Sequence, residues 1–231
     1  MGIDFATGLI WFAAFLFSTT VHEAMHALAA WRLGDPTAYN GGQVSLSPAP
    51  HVAREPIGML VVPLVTSFTQ GWAIGWASCP YDPHWAERYP KRAAIMAAAG
   101  PAGNFLIVIA AFLILRVGLW LGWFVAPESV SLDSIVEMAG GPSYVTTMLS
   151  VLLVQNVFLG SFNLLPLPPL DGSAVLGGVL PERHAVAVRE FSRSGMMSMV
   201  GLLIAWQVFP MATDPLFSLV LRLVYPESSY Y

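Results

Sequence analysis

The sequence predicts an all-α polytopic membrane protein of about four transmembrane helices, with a re-entrant element and a short β-strand or hairpin after the first helix. Three observations carry this. Of the 231 residues, 56% are apolar and 10% charged, whereas a soluble domain is about a quarter charged. Four stretches are apolar enough to cross a bilayer: residues 5–33, 93–115, 144–165 and, with more polar margin, 195–209. A spanning helix needs about 20 such residues. Basic residues gather at Arg32 and Arg54, at Arg88, Lys91 and Arg92, and at Arg183, Arg189 and Arg193, while 126–143 carries Glu128, Asp133 and Glu137 without Lys or Arg. The positive-inside bias then assigns the first three segments to the cytoplasm and the fourth to the outside.

The first stretch has no basic residues before it and is too long for a signal peptide, so it is kept as a span. Residues 34–56 contain Gly34, Pro36, Gly41, Gly42, Pro48 and Pro50 around an alternating run at 43–47, with Val44 and Leu46 on one face, which reads as a strand. Residues 57–79 are long enough to cross, but Pro63, Thr66, Ser67, Thr69, Gln70, Gly71 and Gly75 interrupt them. Both flanks fall on the cytoplasmic side, so this segment is expected to enter and return, with an ordinary fifth crossing as the alternative. Arg116 ends the second clear span and is expected to snorkel to the outer interface beside Trp120 and Trp123. The tail after Pro210 is expected on the outer surface. One core domain, 1–231, accounts for the length, with no space for a large extramembrane module. A net charge of −4 and a single lysine argue against nucleic-acid partners. The lone Cys79 excludes an internal disulfide and a Cys-rich metal site.

Inside the first stretch lies His22-Glu23-Ala24-Met25-His26. At 3.6 residues per turn, positions i and i+4 share a face, so both imidazoles can bind one Zn²⁺ while Glu23 reaches its water. Trp31 and Arg32 mark the interface ~7 to 15 Å further along the helix, and ionisable groups at that depth are costly unless paired or coordinating. A catalytic zinc takes three protein ligands and keeps one position open. His51, His84 and His184 fall in polar cytoplasmic segments and read as solvated side chains. Asp171 is better placed, because Pro166, Pro168 and Pro169 forbid a continued helix after the third span. Irregular apolar backbone at membrane depth must be buried or line a cavity, so its carboxylate needs a partner such as zinc. Gly172 is expected to permit a tight turn after it. Taken in isolation, the same segment also reads as a proline-rich surface turn with a solvated Asp171.

Three elements in order resemble the site-2 protease family of intramembrane zinc metalloproteases: HExxH at 22–26, Gly100-Pro101-Ala102-Gly103-Asn104 in the second span, and NxxPxxxxDG at 163–172. The resemblance implies one zinc per chain held by His22, His26 and Asp171, with Glu23 as general base and Asn163 beside the cleavage site. It implies a transmembrane protein as substrate, a lipid bilayer around the enzyme, and a multi-pass place in the cell membrane with the active site toward the cytoplasm. The strand at 43–47 would pair with an opened substrate segment by edge addition. The PDZ and CBS modules of many relatives have no counterpart in 231 residues, and any regulatory partner is unspecified. Where compact relatives carry Gly-Trp-Ala-Lys-Pro, this chain reads Gly75-Trp76-Ala77-Ser78-Cys79-Pro80. Asn104 is read as a helix-packing residue rather than part of the site. Two competing readings are a divalent-metal transporter, which would spread ionisable residues along several spans, and a catalytically inactive adaptor, which would have no need of Glu23.

Overall fold

The computed structural model describes residues 4–181, 183–185, 188 and 194–226; Arg189 and Arg193, expected in the cytoplasm, lie outside the described residues. In chain order its helices are α1 (Phe5–Arg32), α2 (Thr37–Asn40), α3 (Ala49–Arg54), a π-helical turn (Ile57–Val61) running into α4 (Val62–Thr69), α5 (Pro83–Arg88), α6 (Pro90–Trp120), α7 (Tyr144–Asn163), α8 (Asp171–Val179) and α9 (Gly195–Val224). Among the described residues, α1, α6, α7 and α9 are long and apolar enough to cross a membrane. The shortest, α7, has 20 residues and reaches ~30 Å, the thickness of a hydrocarbon core. Outward-facing Phe17, Leu106, Ile109, Leu113 and Leu203 are about half exposed or more, an apolar surface that only lipid solvates well. The molecule is an all-α polytopic membrane protein.

Helices α1, α6 and α7 pack around a shared core that includes Trp11, Phe15, Val108, Leu115, Val154 and Val157. On α1 the buried positions Trp11, Ala14, Phe15, Ser18, His22 and His26 recur every three or four residues, so one face looks inward along the whole helix and carries both histidines with it. Helix α9 is attached more loosely, burying Gly201, Ala205, Thr213, Val220, Leu221 and Val224.

The segment 57–79 enters and returns. Its π-helical turn and α4 together hold 13 residues, ~20 Å of rise, too short to span. Beyond Gly71 the chain comes back without regular structure, held by Trp76 N–H donating to the Gly58 carbonyl at 3.1 Å and Ile74 N–H donating to Thr66 Oγ1 at 2.9 Å.

Several expectations are corrected. Residues 43–47 form turns rather than a strand. Ser45 Oγ accepts from Ser47 N–H at 3.0 Å and Ser47 Oγ from Ala49 N–H at 3.4 Å, and such local side-chain bonds compete with a ladder. Leu46 is left 69% exposed while Gln43 is buried, so the alternation does not sort apolar residues inward. The antiparallel pair lies instead between α6 and α7, with Phe124–Val125 against Glu137–Met138. The fourth span does not stop at Phe209, because α9 carries Pro210 and Pro215 within it and continues to Val224. Spanning helices tolerate such prolines where neighbouring helices and Ser or Thr side chains satisfy the freed backbone groups. Arg116, exposed near the end of α6, donates to the Val224 carbonyl at 2.8 Å, supplying one of the donors the C-terminal end of α9 lacks.

Candidate active site

Two separate stretches of chain meet at one point. His22 and His26 face each other across one turn of α1, with Nε2 to Nε2 at 2.9 Å. Asp171, the first residue of α8, brings Oδ2 to 3.1 Å from His22 Nε2 and 3.3 Å from His26 Nε2. The proline-broken segment after α7 achieves this by folding on itself, with Leu167 N–H bonded to the Leu165 carbonyl and Leu170 N–H to the Leu167 carbonyl. The solvated-turn reading of Asp171 is thereby displaced by a contact with both histidines. Gly172 works differently from the expected tight turn. It sits within the first turn of α8, where a Cβ would overlap the Leu164 and Leu165 carbonyl oxygens, so its lack of a side chain lets α8 close onto the end of α7.

The rings are held from behind. His22 Nδ1 lies 2.6 Å from Asn104 Oδ1, and His26 Nδ1 lies 2.8 Å from the Met96 carbonyl, both acceptors on α6. The Asn104 amide is oriented by its own partners. Its Nδ2 donates to Asn156 Oδ1 at 2.8 Å on α7, and Asn156 Nδ2 donates to Ser18 Oγ at 2.8 Å back on α1. Asn104, Asn156 and Ser18 are fully buried, so this chain of bonds fixes which atom of Asn104 points at His22. Both Nδ1 atoms therefore donate, and both Nε2 atoms are left as bare acceptors.

Two such lone pairs and a carboxylate oxygen within 2.9–3.3 Å of one another repel unless a cation lies among them. Zinc fits. Ligand bonds of ~2.0–2.1 Å at tetrahedral angles place donor atoms ~3.3 Å apart, and imidazole with carboxylate suits that ion. Gly100 adds a further fit. A Cβ there would overlap His26 Nε2 and lie 2.6 Å from His22 Nε2, so α6 presents bare backbone to both Nε2 atoms. Glu23 is buried beside them, with one carboxylate oxygen within 4.8 Å of both histidine ligand atoms, and its Oε2 has no partner among the described residues.

The remaining sequence candidates sort clearly. His184 is exposed and His84 lies on the short helix α5, away from the trio. His51 is 1% exposed rather than solvated. Asn163 ends α7 with its amide donating back to the Leu159 carbonyl at 3.0 Å, so the structure ties it to its own helix. Gly100, Asn104 and Asn156 were missed as site residues. Gly100 and Asn104 are four apart and so share a face of α6, and a polar residue deep in a span is itself a signal.

Comparison with known proteins identifies the family. The chain is 28% identical over 166 residues to "Putative zinc metalloprotease YwhC" of Bacillus subtilis (strain 168), covering 72% of this chain and 67% of that protein. It is 28% identical over 192 residues to "Putative zinc metalloprotease Rip2" of Mycolicibacterium smegmatis (strain ATCC 700084 / mc(2)155), covering 83% of this chain and 65% of that protein. The chain thus spans about two thirds of the length of the curated relatives it matches. No solved structure gives a significant match. The model of Peptidase family M50 matches residues 10–206, which includes most of α1, all of α6 and α7 and the Asp171 turn, and the chain belongs to that family.

Proposed function

We propose that this chain is an intramembrane zinc metalloprotease that hydrolyses a peptide bond within or near the transmembrane segment of a membrane-protein substrate. The coarse part of this reading, a membrane-embedded zinc metalloprotease, rests on family membership and on four apolar helices. The observation that carries the finer part is the trio of His22, His26 and Asp171 beside Glu23, buried among spanning helices.

His22, His26 and Asp171 would hold one zinc per chain. Zinc bound there supplies a Lewis acid that makes water acidic enough to ionise near pH ~7 and polarises a carbonyl. Glu23 takes the proton from the attacking water and passes it to the leaving amine nitrogen. Asn104 and the Met96 carbonyl keep the imidazoles in the tautomer that leaves Nε2 free. Asn163 is assigned to the oxyanion side of the substrate, which requires its amide to leave the Leu159 carbonyl. The substrate helix must open locally, since its carbonyls are engaged in its own hydrogen bonds.

The site lies toward the end of the bundle where Arg32, Arg54, Arg88, Lys91 and Arg92 gather, and Arg92 donates to the Leu33 carbonyl at 3.0 Å across the start of α6. That charge bias supports a cytoplasmic-side active site in a multi-pass protein of the cell membrane. Residues 1–231 act as one catalytic core.

The test is cleavage of a panel of fluorescent single-span peptides in lipid vesicles by the wild type and by Glu23→Gln, with zinc assayed in both. Cleavage by the wild type, lowered ~10²–10⁴-fold in the variant at equal zinc content, is the expected result. Zinc flux across the vesicle with no cleavage would replace the proposal with the transporter reading.

A further inference from the structure

His51 takes no part in the site as described, yet it is among the most completely buried polar side chains of the described residues. It sits on α3, which packs on the π-helical turn Ile57–Val61, and that turn packs in its turn on α1. His51 Nε2 lies 3.0 Å from the Ser45 carbonyl. A carbonyl accepts, so Nε2 carries the hydrogen and Nδ1 is a bare lone pair. That Nδ1 is enclosed and has no donor among the described residues. Glu23 Oε2 is in the same condition, and the two side chains interact electrostatically. Two buried acceptors within electrostatic reach of each other cannot satisfy one another. One water satisfies both, donating one O–H to each.

We propose that His51 is a positioning residue for Glu23: through a shared water its Nδ1 holds one carboxylate oxygen and turns the other toward the trio of His22, His26 and Asp171. The inference rests on the reading of Glu23 as general base. A base works only within hydrogen-bond reach of the proton it takes, and a carboxylate with neither oxygen tethered rotates freely about its last torsion. On this view the loop 34–56, which forms no substrate-pairing strand, reaches back to the chemistry through its one buried histidine.

Two substitutions separate this role from a merely structural one. In His51→Asn the side-chain oxygen occupies the place of Nδ1 and the contact with Ser45 is lost. In His51→Gln the amide reaches the place of Nε2 and keeps the contact with Ser45, while the acceptor facing Glu23 is lost. Both proteins are purified with zinc content and thermal unfolding checked against the wild type. Their kcat and KM are then measured on a fluorescent single-span peptide in vesicles. In parallel, the Glu23 carboxylate band is isolated by infrared difference against Glu23→Gln in each background. The proposal expects kcat of His51→Asn to exceed that of His51→Gln by about tenfold or more at equal KM and zinc, with the Glu23 band shifted in His51→Gln alone. A kcat for His51→Gln equal to or above that of His51→Asn, or an unmoved Glu23 band in His51→Gln, overturns it. The infrared measurement does not depend on proteolysis, so it decides the role of His51 even where the wild type cleaves nothing and the protease reading itself fails.

Discussion

At the scale of single residues, the site depends on what is absent as much as on what is present. Gly100 has no side chain where a methyl group would meet Nε2 of both His22 and His26. Gly100→Ala is therefore expected to keep the helical fold but bind zinc at least about tenfold more weakly in a competition titration. Affinity at the wild-type level would show that the rings can retreat from the added methyl. Asn104 acts one bond further out, as the acceptor that holds the His22 tautomer. Asn104→Ala should weaken zinc binding ~10–100-fold by the same titration, the usual cost of losing an outer-shell partner of a histidine ligand. An unchanged constant would return Asn104 to the packing role that the sequence alone suggested. The grouping of His22, Glu23 and His26 was legible from helical spacing and the cost of burying charge in a membrane, whereas Asp171 read equally as a solvated turn until its contact with both histidines was seen. Asn104 was not legible, since an asparagine among small residues on a helix reads equally as a packing contact until the facing residue is known to be a histidine.

At the scale of elements, the four spans were legible from length and polarity, but their ends were not. Pro210 looks like a stop in a one-dimensional reading, yet α9 runs on through it and through Pro215 to Val224, as spanning helices packed on their neighbours can. The run at 43–47 has a strand-like alternation but no ladder, since its serines bond locally and a period of two over five residues is weak evidence. The turn after α1 makes a separate prediction. Asp35 is buried, which alone would push its pKa up, but Thr37 donates from both its hydroxyl and its amide, and Asp82 N–H donates at 2.8 Å from the segment before α5. The net effect holds the carboxyl below its ordinary 3.8. A folded-state pKa below the unfolded one gives stability that is present above about pH 4 and is lost as pH falls through the folded value. The difference in Tm between wild type and Asp35→Asn in detergent should therefore be largest at neutral pH and shrink below about pH 4. A difference that stays constant with pH would show that the staple works without the charge.

At the scale of the whole molecule, the fold serves to bring residue 171 to residue 22 across 149 positions of chain and to residue 26 across 145. Three helices do this together. Helix α1 carries the two histidines, α6 carries the acceptors behind them and the bare Gly100 in front, and α7 ends in the proline-broken turn that delivers Asp171. The segment 57–79 runs along α1, with Phe68 stacking on Phe5 at the start of that helix, and its returning limb is tied back to its own entry at Gly58. The class of architecture was readable because lipid permits few solutions. The layering of ligand, acceptor and gap was not, because it depends on which helix faces lie opposite one another. The most direct measurement is X-ray absorption at the zinc edge on the purified protein and on Asp171→Ala. The account predicts one zinc per chain with two imidazole nitrogens and oxygen donors at ~2.0–2.1 Å, and a changed shell with weakened binding in Asp171→Ala. A shell without paired imidazoles, or one identical in Asp171→Ala at full occupancy, would contradict it.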